Sequence, residues 1–462
     1  MKYSPQTPSV IISATHSGAG KTTVTRALLA ALKARGLSVQ PFKIGPDFID
    51  PMYHSAIVGR PSINLDLWMM GEDGIREVFY RRTQGVDVAV IEGMGALFDG
   101  ANGTGEGSAA HIAAILGVPV AVVIDVYGMT RTTAAIIDGI DSFDPNVEIA
   151  GFILNRCGRL GSTVHADLIR KAVGEGRWNR VLSVLCDDPA LGVAERHLGL
   201  VTPYEDCAGG NSTGLDLVAK QLDVDKIFGR PLKPSTSPKE QCIEHPSQSQ
   251  GLRLAVARDA AFCFYYEENL AALRAAGFEI IEFSPVAGDT LPPGTDAVYL
   301  GGGYPESFAR ELANNINLAE QLRRAAELGM PIYGEGGGLI YLGRSLTGFD
   351  GKTYPMSGIL PIDFAMDPTY LRIHYLELTT RRDSLLGPTG TVIRGQEFHQ
   401  SRVINSDLSP DFYSAIASDG RELLDGYQYK SVVASHAHIY LNSSPGAADS
   451  FVEAARRFRC SS

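Results

Sequence analysis

The segment Val10–Thr23, which reads VIISATHSGAGKTT, constrains this chain most, because an apolar strand runs directly into a glycine-bearing turn that is followed by a helical pattern. Glycines let backbone N–H groups crowd around a polyanion, and a helix that starts near Lys21 directs its positive end toward the same point. Lys21 and Thr22 add a cation and a ligand for Mg²⁺. The turn therefore predicts a site for nucleotide phosphates, formed by Gly18, Gly20, Lys21, Thr22 and Thr23.

This phosphate loop departs from the usual pattern at its first position, where Thr15 replaces a glycine, and Gly18 is expected to supply the flexibility instead. The alternative is a strand–turn–helix corner whose glycines are incidental. The strand, the run Gly20-Lys21-Thr22 and the amphipathic helix nevertheless occur in the order that phosphate binding requires. The motif alone predicts no particular reaction.

Composition narrows the class of protein. With 462 residues, 44% of them hydrophobic, the chain is long enough for about two or three domains with proper cores. The net charge of −11 and the absence of a dense Lys/Arg run argue against nucleic acid as a partner. No apolar run reaches the roughly 20 residues of a spanning helix, so we expect a cytoplasmic protein without a membrane partner. Six cysteines without CxxC spacing indicate free thiols.

The order of predicted elements indicates two α/β domains. Up to Leu185, six short apolar runs alternate with helical segments, which predicts a mostly parallel sheet covered on both faces, with ligands at the carboxyl ends of its strands. A polar, proline-punctuated stretch then indicates a linker at 229–251. The predicted domains are therefore residues 1–228 and 252–462.

Charged side chains follow the second predicted strand, in the segment Pro41–Pro51. We expect Asp47 to hold magnesium, Asp50 to orient a substrate or its leaving proton, and Lys43 to neutralise charge that develops on a phosphate. The alternative is a turn that prolines fix and aspartates cap.

Two acids follow the third predicted strand. Glu92 comes directly after an apolar run and is expected to be a second magnesium ligand, and Asp99 lies in a glycine-rich loop that would meet the substrate. Solvated loop acids are the alternative. After later strands, Asn155 is expected to hydrogen-bond the nucleotide base, and Asp125 and Arg131 are as well explained by a structural ion pair.

These motifs together resemble the cobyrinate a,c-diamide synthase family over nearly the whole chain. The segments that carry the resemblance are the phosphate loop, Phe42–Pro51, Glu92-Gly93 with Leu97–Gly100, Glu195–Leu200, Ala255–Phe262, Leu300–Glu306 and Glu397–Ser401.

The resemblance implies a synthetase domain similar to dethiobiotin synthetase, joined to a class I, triad-type glutamine amidotransferase domain. It further implies ATP and Mg²⁺ as cofactors and a tetrapyrrole substrate, two acetate side chains of which become amides through acyl phosphates. Amide formation from a carboxylate is uphill unless its oxygen is made a good leaving group, and the phosphate loop, the acids and Lys43 are suited to phosphoryl transfer.

One departure from the family concerns the source of nitrogen. Where the family has a nucleophilic cysteine after a strand, this chain has Gly336, in the run Tyr333-Gly-Glu-Gly-Gly-Gly-Leu339. Loss of a nucleophile costs about 10⁶ in turnover in a well-studied protease. The expected base, His438, is retained, although Tyr440 replaces a second histidine of the family and His436 replaces an aromatic residue.

We therefore expect an inactive glutaminase site, with ammonia in place of glutamine, supplied free or by a separate glutaminase. Cys263 is the alternative nucleophile. Amidation of sirohaem or sirohydrochlorin is the alternative reaction, and a nucleotide-switch ATPase is the alternative class. A second copy of the chain, in a homodimer, is a further candidate partner.

Overall fold

The computed structural model describes residues 6–187, 195–196, 199–200, 203, 212–234 and 251–461. The chain divides into two compact units, Met1–Ile243 and Glu244–Ser462. Most of the predicted linker, residues 235–250, and residues 197–198 of the predicted motif Glu195–Leu200 lie outside the described part. The predicted domain limits stay a prediction.

A parallel sheet of seven strands forms the centre of the first unit. Its order is β3-β2-β4-β1-β5-β6-β7, and every pairing in it is parallel. The strands are β1 (Ser9–Ala14), β2 (Val39–Ile44), β3 (Ile63–Leu65), β4 (Val88–Glu92), β5 (Val120–Asp125), β6 (Ile149–Asn155) and β7 (Val181–Val184). The chain proceeds in opposite directions on the two sides of β1, and ligands of such sheets gather at the carboxyl ends of the strands near this reversal.

Helices cover both faces of this sheet, which is why its strands are continuous apolar runs rather than alternating ones. They are α1 (Lys21–Ala34), α2 (Ile49–Val58), α3 (Leu67–Thr83), α4 (Ala109–Leu116), α5 (Thr132–Phe143), α6 (Val164–Val173), α7 (Glu175–Trp178), α8 (Ser212–Ala219) and α9 (Val224–Ile227). A separate two-stranded ladder joins β8 (Glu195–Arg196) to β9 (Gly199–Leu200). The predicted α/β class is confirmed.

Two predicted positions are wrong in detail. Lys43 lies inside β2 rather than after it, and Asp50 lies in the first turn of α2 rather than in a loop. The helix can begin this early because Pro51 stands in its first turn, where a missing N–H removes no intrahelical bond. It ends at Val58, and its C-cap, Gly59, has a left-handed φ of 77°.

The second unit has a six-stranded sheet of order β11-β10-β12-β13-β23-β22, parallel except for β22. The strands are β10 (Leu252–Ala257), β11 (Phe278–Phe283), β12 (Ala297–Leu300), β13 (Ile332–Glu335), β22 (Tyr427–Tyr429) and β23 (Val432–Ser435). The helices are α10 (Glu267–Ala276), α11 (Ala309–Asn314), α12 (Ile316–Glu327), α13 (Gly337–Leu342) and α14 (Ala447–Ser461). This sheet confirms the predicted second α/β fold.

Two further sheets of this unit were not predicted. One has five antiparallel strands in the order β21-β20-β17-β18-β24, and the other is mixed, in the order β15-β14-β16-β19. Their strands are β14 (Ser345–Thr347), β15 (Thr353–Pro355), β16 (Ile362–Met366), β17 (Arg372–Thr380), β18 (Val392–His399), β19 (Ser401–Ser406), β20 (Tyr413–Ala417), β21 (Glu422–Asp425) and β24 (His438–Tyr440). Across the described residues of both units, no helix combines the length and the apolarity needed to cross a membrane.

Candidate active site

The phosphate loop joins β1 to α1 and has the backbone that close approach to a polyanion requires. Gly20 has a left-handed φ of 99°, and a Cβ atom there would lie 2.2 Å from Asn155 Nδ2, so only glycine fits. Gly18 is exposed, with a φ of 84°. No side chain in the described part of the chain caps α1, which leaves its first N–H groups for a ligand.

Lys21, Thr22 and Thr23 begin α1 and present the polar groups of the loop. Lys21 is buried, and burial together with the charge of Lys43 lowers the pKa of Lys21. The hydroxyl of Thr22 donates to Glu92 Oε1 at 2.7 Å, which commits its hydrogen and leaves its lone pairs for a cation. Thr23 is half-buried beside it.

A cluster of one lysine and three acids, of which Lys43, Asp50 and Glu92 are buried, lies next to this loop, at the carboxyl ends of β2 and β4. Lys43 Nζ lies 3.1 Å from Glu92 Oε1 and 3.7 Å from Asp47 Oδ2, and it contacts Asp50 Oδ2 directly. Parallel pairing of β2 with β4 sets Lys43 directly opposite Glu92. The structure thus brings together Lys43 and three of the four acids predicted at this edge, Asp47, Asp50 and Glu92.

The two buried acids of this cluster differ in the direction in which their surroundings shift the pKa. Burial alone would lower the pKa of Lys43, but the carboxylates of Glu92, Asp50 and Asp47 outweigh burial and hold that pKa above its ordinary value. Burial and the charge of Glu92 raise the pKa of Asp50, whereas Lys43 and His54 overcome burial and hold the pKa of Glu92 low. Glu92 therefore balances Lys43, and Asp50 is the carboxyl group that more readily holds a proton.

His54 belongs to this cluster, although no sequence motif pointed to it. Its side chain has no exposed surface, and its Nε2 lies 2.8 Å from Glu92 Oε2 while its Nδ1 lies 3.3 Å from Ser62 Oγ. The available signal was spacing, since His54 follows Asp50 by four residues and both therefore lie on one face of α2.

The donor groups fit a magnesium ion that also binds nucleotide phosphates. Mg²⁺ commonly uses one or two carboxylates and completes its shell with phosphate oxygens and water. Thr22 Oγ1 and Glu92 are adjacent, and Asp47 is partly exposed, with its Oδ1 accepting the N–H of Ile49 at 2.9 Å. Among the described residues, no three His, Cys, Asp or Glu side chains form a metal site by themselves. The residues that would hold Mg²⁺ are thus Thr22, Glu92 and Asp47, together with the nucleotide.

Other predicted residues have contacts of a different kind. Asn155, the last residue of β6, donates to the carbonyl of Ala19 at 2.9 Å, so it braces the phosphate loop, and its contact with a base stays a prediction. Of the alternatives left open for Asp125, the structure shows an ion pair, which Asp125 forms with Arg156 at 2.5 Å. Asp99 is exposed in its loop, and its role toward a substrate stays a prediction.

In the second unit, Gly336 occupies a sharp bend between β13 and α13. Its φ of 48° and ψ of −105° are strained for any residue with a side chain, as is typical of the bend that presents a nucleophile between a strand and a helix. A Cβ atom at Gly336 would lie 2.8 Å from Nε2 and 2.9 Å from Cε1 of His438. The imidazole therefore lies directly opposite the position where a nucleophilic side chain would start.

His438 lies beside a buried carboxylate and packs against glycine backbone. Its Nδ1 lies 3.7 Å from Glu335 Oε2, and a Cβ atom at Gly302 would lie 2.2 Å from its ring. Glu335 accepts hydrogen bonds from the hydroxyls of Tyr299, at 2.8 Å, and Tyr333, at 3.0 Å. The imidazole, its acidic neighbour and the bend are all present, and residue 336 has no side-chain atom that could act as a nucleophile; the role of His438 as a base stays a prediction.

Cys263, the alternative nucleophile, is buried, and its Sγ lies 4.0 Å from the carbonyl oxygen of Ala260. A Cβ atom at Gly303 would lie 3.1 Å from the backbone nitrogen of Cys263, so the backbone of Cys263 lies against the glycine loop Gly301–Gly303. The bend at Gly336 contacts His438 instead.

Comparisons with known proteins agree with this division of the chain. Residues 10–200 match the model described as the CobQ/CobB/MinD/ParA nucleotide binding domain, and residues 253–446 match the CobB/CobQ-like glutamine amidotransferase domain.

Relatives match along the whole length. The chain is 39% identical to "Cobyrinate a,c-diamide synthase" of Syntrophotalea carbinolica, which covers 97% of this chain and 99% of the relative. Proteins of the same name from Caldanaerobacter subterraneus and Thermoplasma volcanium are 35% and 38% identical, and each alignment covers 98% of both chains. These matches confirm the resemblance read from the motifs, and with it an enzyme of the ligase type. The chain belongs to the cobyrinate a,c-diamide synthase family.

Proposed function

We propose that this protein uses ATP and Mg²⁺ to convert the a- and c-acetate side chains of a corrinoid-type tetrapyrrole to amides, each through an acyl phosphate, with ammonia as the nitrogen donor. The family to which the chain belongs supports the substrate class. The observation that carries the reaction type is the buried cluster of Lys43, Asp50 and Glu92 beside the phosphate loop.

The cluster matches the needs of phosphoryl transfer to a carboxylate. A carboxylate oxygen of the substrate attacks the γ-phosphorus of ATP, a P–O bond forms, and the bond to the β-phosphate oxygen breaks to release ADP. Lys21 and Lys43 supply positive charge where negative charge must be brought together. Their burial makes this charge more effective than it would be in water.

Amide formation then needs only nitrogen and a place for a proton. Ammonia attacks the acyl carbon through its lone pair, inorganic phosphate leaves, and the new C–N bond is completed when the nitrogen loses a proton. Asp50 is the carboxyl group whose pKa burial and Glu92 raise, so we assign it to the acid and proton side of the reaction.

The bend at Gly336 supports the choice of ammonia. In triad-type amidotransferases, the sulfur of a cysteine thiolate attacks the amide of glutamine, and a glycine has no such atom. His438 and Glu335 remain in place, but a base without a nucleophile does not hydrolyse glutamine by that route. Free ammonia or a separate glutaminase would supply the nitrogen, and that partner, a homodimer and a cytoplasmic location stay predictions.

The test is amidation by the purified full-length protein with Mg-ATP, each of four candidate rings, and either ammonium or glutamine, followed by mass spectrometry. The rings are cobyrinate, hydrogenobyrinate, sirohydrochlorin and sirohaem. We expect two successive amidations of a corrinoid with ammonium and none with glutamine in an ammonia-free assay. If only the sirohaem-type rings are amidated, the substrate is a sirohaem-type ring and not a corrinoid. ATP hydrolysis that responds to a protein or membrane but to no ring would favour a nucleotide switch.

A further inference from the structure

Glu92 is a carboxylate with no exposed surface, and both of its oxygens are committed. Oε1 accepts from Thr22 at 2.7 Å and from Lys43 at 3.1 Å, whereas Oε2 contacts His54 Nε2 at 2.8 Å. A buried carboxylate without partners on one side would bear a large desolvation cost. His54 is therefore the group that supports the side of Glu92 that faces away from the phosphate loop.

We propose that His54 is a positioning residue, which fixes the carboxylate plane of Glu92 so that Oε1 holds the Thr22 hydroxyl in the orientation that binds nucleotide-bound magnesium. This inference rests on the proposed function, because it takes Thr22 and Glu92 as residues that hold the Mg²⁺ of the ATP-dependent reaction. His54 does not contact the metal or the reacting atoms. It acts through Glu92.

The chemistry of the contact defines what His54 must supply. A carboxylate only accepts, so Nε2 must carry a hydrogen. Ser62 Oγ, 3.3 Å from Nδ1, is placed to donate to the other ring nitrogen, and such a second contact fixes which nitrogen carries the proton. Lys43 already divides its charge between Glu92 and Asp50. A hydrogen-bond donor on Oε2 orients Glu92 without adding another lysine to the site.

The position of His54 on α2 links two functions of the site. Asp50 and His54 are four residues apart, so one face of α2 carries both the acid that contacts Lys43 and the histidine that contacts Glu92. Groups that orient metal ligands in this way typically change metal affinity or activity by about 10–100-fold when they are lost.

The experiment compares His54→Gln with His54→Asn in the full-length protein. The Gln amide reaches the position of Nε2 and keeps a donor toward Glu92, whereas the shorter Asn amide reaches only the position of Nδ1 and leaves Oε2 unsupported. The probe is Mn²⁺, bound in the presence of a non-hydrolysable ATP analogue and measured by electron paramagnetic resonance. Thermal unfolding of both variants without metal and nucleotide reports any purely structural effect.

We expect Mn²⁺ affinity to fall about 10–100-fold in His54→Asn and to stay within a few-fold of the unchanged protein in His54→Gln. Equal Mn²⁺ affinity in all three proteins, or equal losses in both variants, would overturn the proposal. If His54→Asn does not fold, Ser62→Ala replaces it, with an expected smaller loss of affinity, and unchanged affinity there would count against the proposal. Because this assay contains no tetrapyrrole, it stands even if the amidation assay fails.

Discussion

Replacing Gly336 by cysteine should create glutaminase activity, which we expect the unchanged protein not to have. The bend between β13 and α13 has the backbone of a nucleophile turn, and His438 lies opposite the position from which a thiol would project. Gly336→Ala is the matched control, because it adds the same Cβ atom without the sulfur.

The structure gives the cost of the side chain. A φ of 48° with a ψ of −105° costs a residue with a Cβ atom on the order of 1–3 kcal/mol. The added Cβ atom would meet Nε2 of His438 at 2.8 Å, so the imidazole must move by roughly 0.6 Å or more to reach ordinary van der Waals contact. Since both variants carry this cost, both should unfold at a temperature lower by about 3–10 °C.

The assay is release of glutamate from glutamine without tetrapyrrole or ATP. We expect release by Gly336→Cys and none above background by Gly336→Ala or the unchanged protein, since a nucleophile is worth up to about 10⁶ in turnover. In the cysteine variant, a further change of His438→Asn should remove the activity. A folded Gly336→Cys protein that releases no more glutamate than Gly336→Ala would refute the reading of this bend as a nucleophile position.

Three other changes test the two units separately. Asp50→Asn should reduce amidation by about 10²-fold or more, while nucleotide affinity, measured by calorimetry, stays within a few-fold. A parallel loss of nucleotide binding would contradict the assignment of Asp50 to the substrate side of the site. Gly20→Ala should abolish nucleotide binding, because the added Cβ atom lies 2.2 Å from Asn155 Nδ2 at a left-handed φ of 99°, and the added change Asn155→Ala should restore binding only in part. His436→Phe should remove a pH dependence of stability. Burial, with the charges of His399 and Arg372, lowers the pKa of His436, so below pH about 6.5 the unfolded chain binds a proton that the folded chain does not, and stability falls as pH falls, by up to about 1.4 kcal/mol per pH unit. Urea unfolding at pH 7 and pH 5.5 should show this loss in the unchanged protein and not in the Phe variant, and equal losses in both would contradict it.

The features that could be predicted from the sequence are those that depend on a short local pattern of residues. Val88–Ile91 is a continuous apolar run, and a buried parallel strand therefore had to deliver Glu92 to the phosphate edge. Gly336 was recognised because it stands in the turn where the family has a nucleophilic cysteine. In both places the signal lies within a few neighbouring residues.

The rest depends on contacts between distant residues. A lysine inside a buried strand is unfavourable unless carboxylates surround it, and only the fold shows that Glu92, Asp50 and Asp47 surround Lys43. The antiparallel strands such as Arg372–Thr380 bury one side chain in two and expose apolar residues, including Ile373, so their pattern was too weak to be read.

The bend at Gly336 also bears on the evolution of this sequence. Glycine adopts this backbone without the penalty that a cysteine carries, so exchanging one for the other removes strain at the same moment that it removes sulfur. In a cell well supplied with ammonium, folding alone would favour the exchange. The surrounding tyrosines and carboxylate would persist as packing, and a single reverse substitution would be enough for selection to act on if ammonium became scarce.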